Sequence, residues 1–179
     1  MSRFKHKTMF AIEQYIRNIP DFPKKGVQYK DITPLLLDPK VMKDTLDALA
    51  KPLAGQKIDK VVGVEARGFL FGILLAKELN AGFVPIRKPG KLPYDTISAT
   101  YDLEYGTDSI QVHTDAILPG EKVLMHDDVL ATGGTASAAC SLIERLGGEI
   151  VACNFILELK ELKGREKLKE FDIRTLVSY

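Results

Sequence analysis

The chain has 179 residues, of which 45% are hydrophobic and 27% charged, a composition that excludes disordered, collagen-like and fibrous proteins. Its 25 Lys and Arg residues balance 24 Asp and Glu residues to a formal charge of +1, so the overall field favours neither nucleic acid nor an anionic membrane as a partner. The two cysteines, Cys140 and Cys153, are too few for a disulfide scaffold and fit a reducing compartment, so we expect a cytoplasmic protein.

The chain carries no internal repeat, low-complexity tract or long linker. We therefore expect one domain over residues 1–179. The longest apolar stretch, residues 69–76, is interrupted by Gly72, and no signal-peptide-like segment follows the basic N-terminus. We expect neither a secretory signal nor a membrane-spanning helix.

The N-terminal region begins with a helical pattern that Pro20 ends. Its apolar residues are Met9, Ile12, Ile16 and Ile19. An irregular segment rich in Pro and Gly follows over residues 21–34. Asp38 and Pro39 then supply the N-cap and the first position of a second helix. The apolar stripe of that helix is Met42, Leu46, Leu49 and Leu53.

Four short apolar runs rich in β-branched residues predict strands that are buried on both faces. They are Lys60–Val64, Gly82–Ile86, Lys122–Met125 and Ile150–Leu157. Pro85 cannot donate to a ladder, so its strand should end there or lie at a sheet edge. Helical patterns over residues 68–79 and 135–146 alternate with the strands. This order predicts an α/β fold with a parallel twisted sheet flanked by helices.

A segment over residues 89–106 interrupts the alternation and is rich in Gly, Pro, Thr, Ser and Tyr. It leads into an alternating run at residues 110–112, which predicts a mobile loop that leads into, or partly forms, a hairpin. Ligands of open α/β sheets bind beyond the carboxyl ends of the strands. The three loops that decide the function should therefore be residues 65–68, 87–91 and 127–135.

The last of these loops contains a Thr-Gly-Gly-Thr turn at the start of a predicted helix. Gly133 and Gly134 have no Cβ, so the backbone amides around them can converge on an anion. The helix N-terminus favours the same charge, and a phosphate monoester is the natural occupant. The residues expected to hold it are Ala131, Thr132, Gly133, Gly134 and Thr135.

Asp127 and Asp128 precede this turn and would repel a phosphate, so they need hydroxyl groups or a cation as partners. Ribose hydroxyls, with or without Mg²⁺, meet that need, and the whole string describes a ribose 5-phosphate site. Strand alternation predicts that only one of the two carboxylates points to the ligand face, with the other pointing away or reaching over. The alternative is an ordinary helix N-cap preceded by a solvated aspartate.

The run from Val123 to Thr135 resembles the 5-phosphoribosyl-1-pyrophosphate (PRPP) motif of the type I phosphoribosyltransferases, in the version typical of the members that use adenine. Further matches keep the same order and spacing along almost the whole chain. They lie at residues 21–34, 63–72, 86–93, 103–106 and 162–168. The resemblance implies the reaction adenine + PRPP → AMP + pyrophosphate, the Mg²⁺ dependence of that reaction, and a role in purine salvage.

The resemblance also implies roles for single residues. Asp127 and Asp128 would handle the ribose hydroxyls, with Mg²⁺ held mainly through PRPP and these two carboxylates as further ligands. Arg67 and Lys88 would act on the pyrophosphate leaving group as catalytic residues. The neighbouring pyrophosphate-side residues are Glu65, Ala66, Arg87 and Lys91. The alternatives without a functional role are a surface ion pair for Arg67 and a solvated loop for the cations of residues 87–91.

Residues 1–37 resemble the N-terminal helix and hood of the family, and residues 87–106 resemble its flexible catalytic loop. In that loop Glu104 matches a catalytic residue and Tyr105 its functional neighbour. Adenine recognition falls to Gln28, Tyr29, Lys30 and Val129. A homodimer is also implied, because in related enzymes the cationic strip reaches a pyrophosphate site partly across the subunit interface.

Three alternatives remain open. The first is a phosphoribosyltransferase for hypoxanthine, guanine or xanthine, since Gln28 and Tyr29 differ from the residues expected in the hood. The second is a PRPP sensor without catalysis, although the chain has no room for a DNA-binding domain. The third is an inactive relative. His126 also departs from the aliphatic residue expected there, and we interpret it as a packed histidine or as a group that tunes Asp127.

Overall fold

A computed structural model describes residues 11–102 and 106–179. By their internal contacts these described residues form two compact units, which divide between Asp47 and Ala48. The single domain expected from the sequence stays a prediction. Glu104 and Tyr105 lie outside the described residues, as does the part of the first predicted helix before residue 11.

The first unit contains a two-stranded antiparallel ladder of β1 (Arg17–Pro20) and β2 (Gln28–Asp31). A 3-10 helix, Ile12–Tyr15, precedes the ladder. The predicted amphipathic helix is therefore wrong over residues 16–19. Its isoleucines are β-branched and suit an extended chain, and Ile19 pairs with Tyr29 across the ladder. After β2 come α1 (Pro34–Leu37) and the start of α2 (Pro39–Ala50).

Helix α2 confirms the second predicted helix. The Asp38 carboxylate accepts the backbone N–H of Lys40 at 2.7 Å and of Val41 at 3.2 Å, which satisfies two donors of the first turn. Ion pairs at i,i+4 spacing join Lys40 to Asp44 and Lys43 to Asp47 on the exposed face.

The second unit is built on a five-stranded parallel sheet in the order β4-β3-β7-β8-β9. Its strands are β3 (Lys60–Val64), β4 (Gly82–Ile86), β7 (Lys122–Leu130), β8 (Glu149–Glu158) and β9 (Ile173–Ser178). Helix α3 (Gly68–Glu78) joins β3 to β4, and α4 (Gly134–Arg145) joins β7 to β8. The α/β fold is confirmed, and β4 lies at a sheet edge as Pro85 predicted.

The strand order reverses between β3 and β7. From β3 the chain moves outward to β4, whereas from β7 it moves the other way to β8. Right-handed crossovers in opposite directions place α3 and α4 on opposite faces of the sheet. A crevice opens where the strand order reverses, beyond the carboxyl ends of β3 and β7.

An antiparallel hairpin of β5 (Thr96–Asp102) and β6 (Thr107–His113) stands beside the sheet. Arg87 and Gln111 exchange two backbone hydrogen bonds, of 2.9 and 2.7 Å, and so attach β6 to the end of β4. The expected loop over residues 87–106 thus contains a seven-residue strand. Thr96, Ile97 and Thr100 supply β-branched residues for the pairing.

The main core of the second unit lies between α4, the hairpin and the sheet. It includes Ile110, Leu142 and Phe155, each no more than 1% exposed. Cys140 and Cys153 are also buried there, with their sulfur atoms 3.5 Å apart. Both thiols are free. No helix among the described residues is long and apolar enough to cross a membrane.

Candidate active site

A cavity of about 300 Å³ opens at the carboxyl ends of β3 and β7, in the crevice where the strand order reverses. All three predicted loops contribute to its wall. The predicted residues that line it are Glu65, Ala66, Arg67, Lys88, Asp127, Asp128, Val129, Ala131 and Thr135. Val64, Tyr101 and Ile110 complete the lining. The structure therefore brings together most of the residues predicted for a ribose phosphate and a pyrophosphate.

A smaller cavity of about 70 Å³ adjoins the first and lies over the Thr-Gly-Gly-Thr turn. Its lining contains all five residues predicted to hold a phosphate, Ala131 to Thr135. Gly133 has a φ of +76°, a left-handed conformation that side chains rarely adopt, and it precedes the first turn of α4. The α4 N-terminus thus begins at the cavity with backbone amides available to an anion.

Asp127 and Asp128 lie on β7, which continues to Leu130, rather than in a loop after the strand. Both residues line the large cavity. The expectation that one carboxylate faces the ligand while the other points away or reaches over it stays a prediction. The Asp127 carboxylate accepts the backbone N–H of the next residue, Asp128, at 2.9 Å.

Two carboxyl groups this close affect each other's titration. Burial raises the pKa of Asp127 well above its ordinary value, and the charge of Asp128 raises it further. Burial also raises the pKa of Asp128, but Arg67 opposes this shift. Arg67 Nε lies 2.7 Å from the Oδ2 of Asp128, which is only 5% exposed.

Gly68 brings the loop after β3 close to β7. A Cβ on Gly68 would lie 2.8 Å from the Asp127 carboxylate and 3.2 Å from the backbone oxygen of His126. The peptide bond between Glu65 and Ala66 in the same loop is cis. The absence of a side chain at Gly68 therefore sets the width of the crevice between the Arg67 loop and the two aspartates.

Glu65 binds the cationic loop that follows β4. One oxygen of its carboxylate accepts the side-chain Nε–H of Arg87 at 3.1 Å and the backbone N–H of Lys88 at 3.0 Å. The other oxygen contacts the Lys91 ammonium. Burial would raise the pKa of Glu65, but the hydrogen bonds from Lys91, Lys88 and Arg87 lower it overall.

Lys88 reaches across to the hairpin. Its ammonium contacts the Asp108 carboxylate and lies 3.0 Å from the Tyr101 hydroxyl. Burial would lower the pKa of Lys88, but these two partners raise it overall. Sequence reasoning missed Tyr101 and Asp108. They sit opposite each other on paired strands, and no local motif marks that pair.

The three hood residues lie in the first unit, on β2. Tyr29 packs edge-on against Phe22, with ring centroids 5.1 Å apart. The Gln28 side-chain oxygen accepts a hydrogen bond from Asn18 at 3.1 Å. A left-handed Gly26 and a cis Phe22–Pro23 bond shape the turn between the strands.

His126 is fully buried on β7, and Asn154 is its register partner on β8. Neither ring nitrogen has a hydrogen-bond partner among the described residues. Burial lowers the pKa of His126 from 6.5 to about 4, so the ring is neutral at physiological pH. His126 does not line the cavity, which agrees with a packed histidine.

Comparisons with known proteins support the same interpretation. The family profile described as "Phosphoribosyl transferase domain" matches residues 36–177. The adenine phosphoribosyltransferase of Christiangramia forsetii is 62% identical over 94% of this chain and 98% of its own length.

Two solved structures have the same fold. The adenine phosphoribosyltransferase of Thermoanaerobacter pseudethanolicus superposes with a TM-score of 0.92 at 53% identity, covering 94% of this chain and 98% of its own. The Saccharomyces cerevisiae enzyme, complexed with an iminoaltritol bisphosphate and adenine, gives 0.85 at 39% identity, covering 93% and 95%. The chain belongs to the type I phosphoribosyltransferase family and, within it, to the adenine phosphoribosyltransferases.

Proposed function

We propose that this chain transfers the 5-phosphoribosyl group of PRPP to adenine, which yields AMP and pyrophosphate and salvages the purine base. The observation that carries this function is the pair of adjoining cavities at the end of β7. The two cavities share Asp127, Val129, Ala131 and Thr135. A phosphate in the small cavity would therefore place the attached ribose directly in the large one.

The 5-phosphate would take the backbone amides of residues 131–135 and the hydroxyls of Thr132 and Thr135. Asp127 and Asp128 would accept hydrogen bonds from the ribose hydroxyls. These interactions hold the sugar and leave C1 directed toward the walls that carry Arg67 and Lys88. Binding of this kind fixes the reacting carbon in place before the bond breaks.

The pyrophosphate leaving group is the main barrier, because two negatively charged phosphates must separate from a cationic sugar. Arg67 and Lys88 line the cavity together with Glu65 and Ala66. A guanidinium can fork onto phosphate oxygens, and an ammonium acts as a point charge. Together they would stabilise the charge that develops on the leaving group, with Arg87 and Lys91 supporting from the same loop.

Mg²⁺ is the metal that this chemistry implies. The described residues contain no group of three or more His, Cys, Asp or Glu side chains arranged to hold a metal. Two neighbouring carboxylates nevertheless fit an ion that brings further oxygen ligands from its own substrate. We propose that Asp127 and Asp128 would help to hold a Mg²⁺ ion bound mainly through PRPP. The ion would neutralise charge on the pyrophosphate.

For adenine, the proposal relies on the family resemblance. Backbone groups at Gln28 and Lys30 would read the edge of the base, and Tyr29 would offer an aromatic face. Val129 supplies an apolar contact in the large cavity. Glu104 would manage a proton on the adenine ring, with Tyr105 beside it. Adenine itself is present in the yeast relative.

The proposal includes a cytoplasmic homodimer. Its basis is the cationic strip of residues 87–91, which in related enzymes reaches partly across the interface. Sedimentation of the purified protein would measure the oligomeric state. A monomer with full activity would contradict a shared site.

The deciding experiment mixes the protein with adenine, PRPP and Mg²⁺ and follows AMP by chromatography. We expect one AMP and one pyrophosphate for each adenine consumed, and no product after removal of Mg²⁺ with a chelator. A parallel competition with hypoxanthine, guanine and xanthine measures base choice. Preference for another base would correct the substrate. PRPP binding with no turnover on any base would indicate a sensor.

A further inference from the structure

Two short 3-10 helices follow β8, Lys160–Leu162 and Gly164–Leu168. We call residues 160–168 the C-terminal turns. The chain enters them beside the end of β7, where the Leu159 N–H donates to the Leu130 carbonyl at 2.9 Å. Leu168 ends the turns fully buried in the core with α4. We call residues 131–135 the phosphate loop. The C-terminal turns therefore contact β7, which precedes this loop, and α4, which follows it.

Gly164 packs directly on the backbone of the phosphate loop. A Cβ on Gly164 would collide with the carbonyl oxygen of Ala131, and a Cβ on Gly133 would collide with the carbonyl oxygen of Gly164. Two stretches of backbone thus touch with no side chain between them. The Gly164 backbone therefore limits where the backbone of Gly133 can lie.

An ion pair anchors the C-terminal turns to the sheet. Arg165 Nε lies 2.8 Å from a Glu158 oxygen, and the Glu158 side chain is only 5% exposed at the carboxyl end of β8. The Arg165 guanidinium also donates to the carbonyl of Ile173 at 3.3 Å and to the hydroxyl of Thr175 at 3.4 Å, both on β9. Arg165, the residue that follows Gly164, is therefore held against both β8 and β9.

No residue from 158 to 168 is among the described residues that line either site cavity. We propose that Gly164 and Arg165 are positioning residues for the phosphate loop. Arg165 holds the C-terminal turns on Glu158, and the Gly164 backbone sets the positions of Ala131 and Gly133, whose amides receive the 5-phosphate. This inference rests on the proposed function, because it concerns the same phosphate.

The first test is Gly164→Ala, with Gly82→Ala as the matched control. A Cβ on Gly82 would meet mainly the flexible Lys60 side chain, at the opposite end of the sheet. Calorimetric titration measures the dissociation constants of ribose 5-phosphate and PRPP, two ligands whose phosphate the phosphate loop would bind. We expect Gly164→Ala to weaken both ligands at least tenfold and to change the KM for adenine less than twofold. Gly82→Ala should change none of these values.

The second test removes the ion pair without leaving a buried charge alone. The double variant Glu158→Gln, Arg165→Met is compared with Asp172→Asn, Arg174→Met, since Arg174 makes a similar contact with Asp172 at 2.7 Å. Only the double variant Glu158→Gln, Arg165→Met should raise the KM for PRPP, by about threefold to tenfold. This test stands if Gly164→Ala does not fold.

Thermal unfolding separates positioning from stability. If the KM for PRPP and the KM for adenine rise together in step with a loss of melting temperature, the C-terminal turns act only on stability and the inference is overturned. If Gly164→Ala and the Glu158→Gln, Arg165→Met variant both fold and bind PRPP as the wild type does, the inference is also overturned. The proposed function then stays intact, because the wild type still binds PRPP. A wild-type protein that binds no PRPP overturns the proposed function and this inference with it.

Discussion

Arg67 Nε and Asp128 Oδ2 are 2.7 Å apart across the crevice between β3 and β7. The predicted partner of the pyrophosphate is thus paired with a predicted partner of the ribose. Lys88 is similarly paired with Asp108, and Arg87 and Lys91 share Glu65. Each of the four site cations has a carboxylate partner, so a bound polyanion competes with protein carboxylates for all of them.

The double variant Asp127→Asn, Asp128→Asn should weaken PRPP binding far more than adenine binding. A hydrogen bond to a charged group contributes about 1.5–3 kcal/mol, which corresponds to roughly a tenfold to hundredfold change in the dissociation constant. Isothermal titration measures the dissociation constant of each substrate, and the two changes are then compared. Equal weakening of both substrates would contradict the ribose assignment.

Glu104→Gln should reduce turnover while leaving the dissociation constant for PRPP within about twofold, because a proton-transferring group contributes mainly to the chemical step. Single-turnover AMP formation, measured at saturating adenine and PRPP, isolates that step. Glu104→Asp serves as the control that keeps the acid. Unchanged turnover in Glu104→Gln would remove Glu104 from the catalytic residues.

Asp108→Asn should tighten PRPP binding, because the carboxylate competes with pyrophosphate for Lys88. The two side chains are 36% and 32% exposed, and pairs at such positions contribute about 0.2–1 kcal/mol. We therefore expect the KM for PRPP to fall by about 1.4-fold to fivefold. Asp172→Asn makes the same charge change beside Arg174 and should have no effect. A higher KM in Asp108→Asn would show that Asp108 positions Lys88 rather than competing for it.

His126 should make stability depend on pH in a defined window. Its pKa is lowered by burial from 6.5 to about 4, so between these values the unfolded chain binds the proton and the folded chain does not. Stability is then fully present above about pH 6.5 and declines as the pH falls to about 4. The total loss is about 3 kcal/mol for a shift of this size.

The measurement is urea unfolding of the wild type and of His126→Leu between pH 4 and 7.5. Comparison with the variant removes the contribution of every other titrating group. The wild type should lose stability relative to His126→Leu as the pH falls. If the free energies of unfolding of the two proteins depend on pH in the same way, the protonated ring has a hydrogen-bond partner in the folded protein.

The central strands and both crossover helices were predictable because buried parallel strands, the almost wholly apolar α3 and the amphipathic α4 leave strong patterns. The strand β9 was missed. Its run Ile173–Ser178 includes the charged Arg174, only Val177 in it is buried, and it follows a highly charged stretch. The first helix was predicted wrongly because isoleucines three or four residues apart also occur in short extended segments.

The predicted phosphate and ribose residues come together as expected, because they follow one another along a single strand and its turn. Asp108 and Tyr101 could not be found in the same way. Their proximity to Lys88 arises from the hairpin register and from the attachment of β6 to β4, which are long-range features. Likewise, the contact between Gly133 and Gly164 joins positions 31 residues apart that share no sequence motif.

Glu65 has a broader consequence for the loops at this edge of the sheet. With one carboxylate it engages the guanidinium of Arg87, the backbone of Lys88 and the ammonium of Lys91. The loop after β3 and the loop after β4 are thereby linked through a single side chain. Much of the conformational entropy of these loops is lost when the chain folds, so less remains to be lost when the substrate binds.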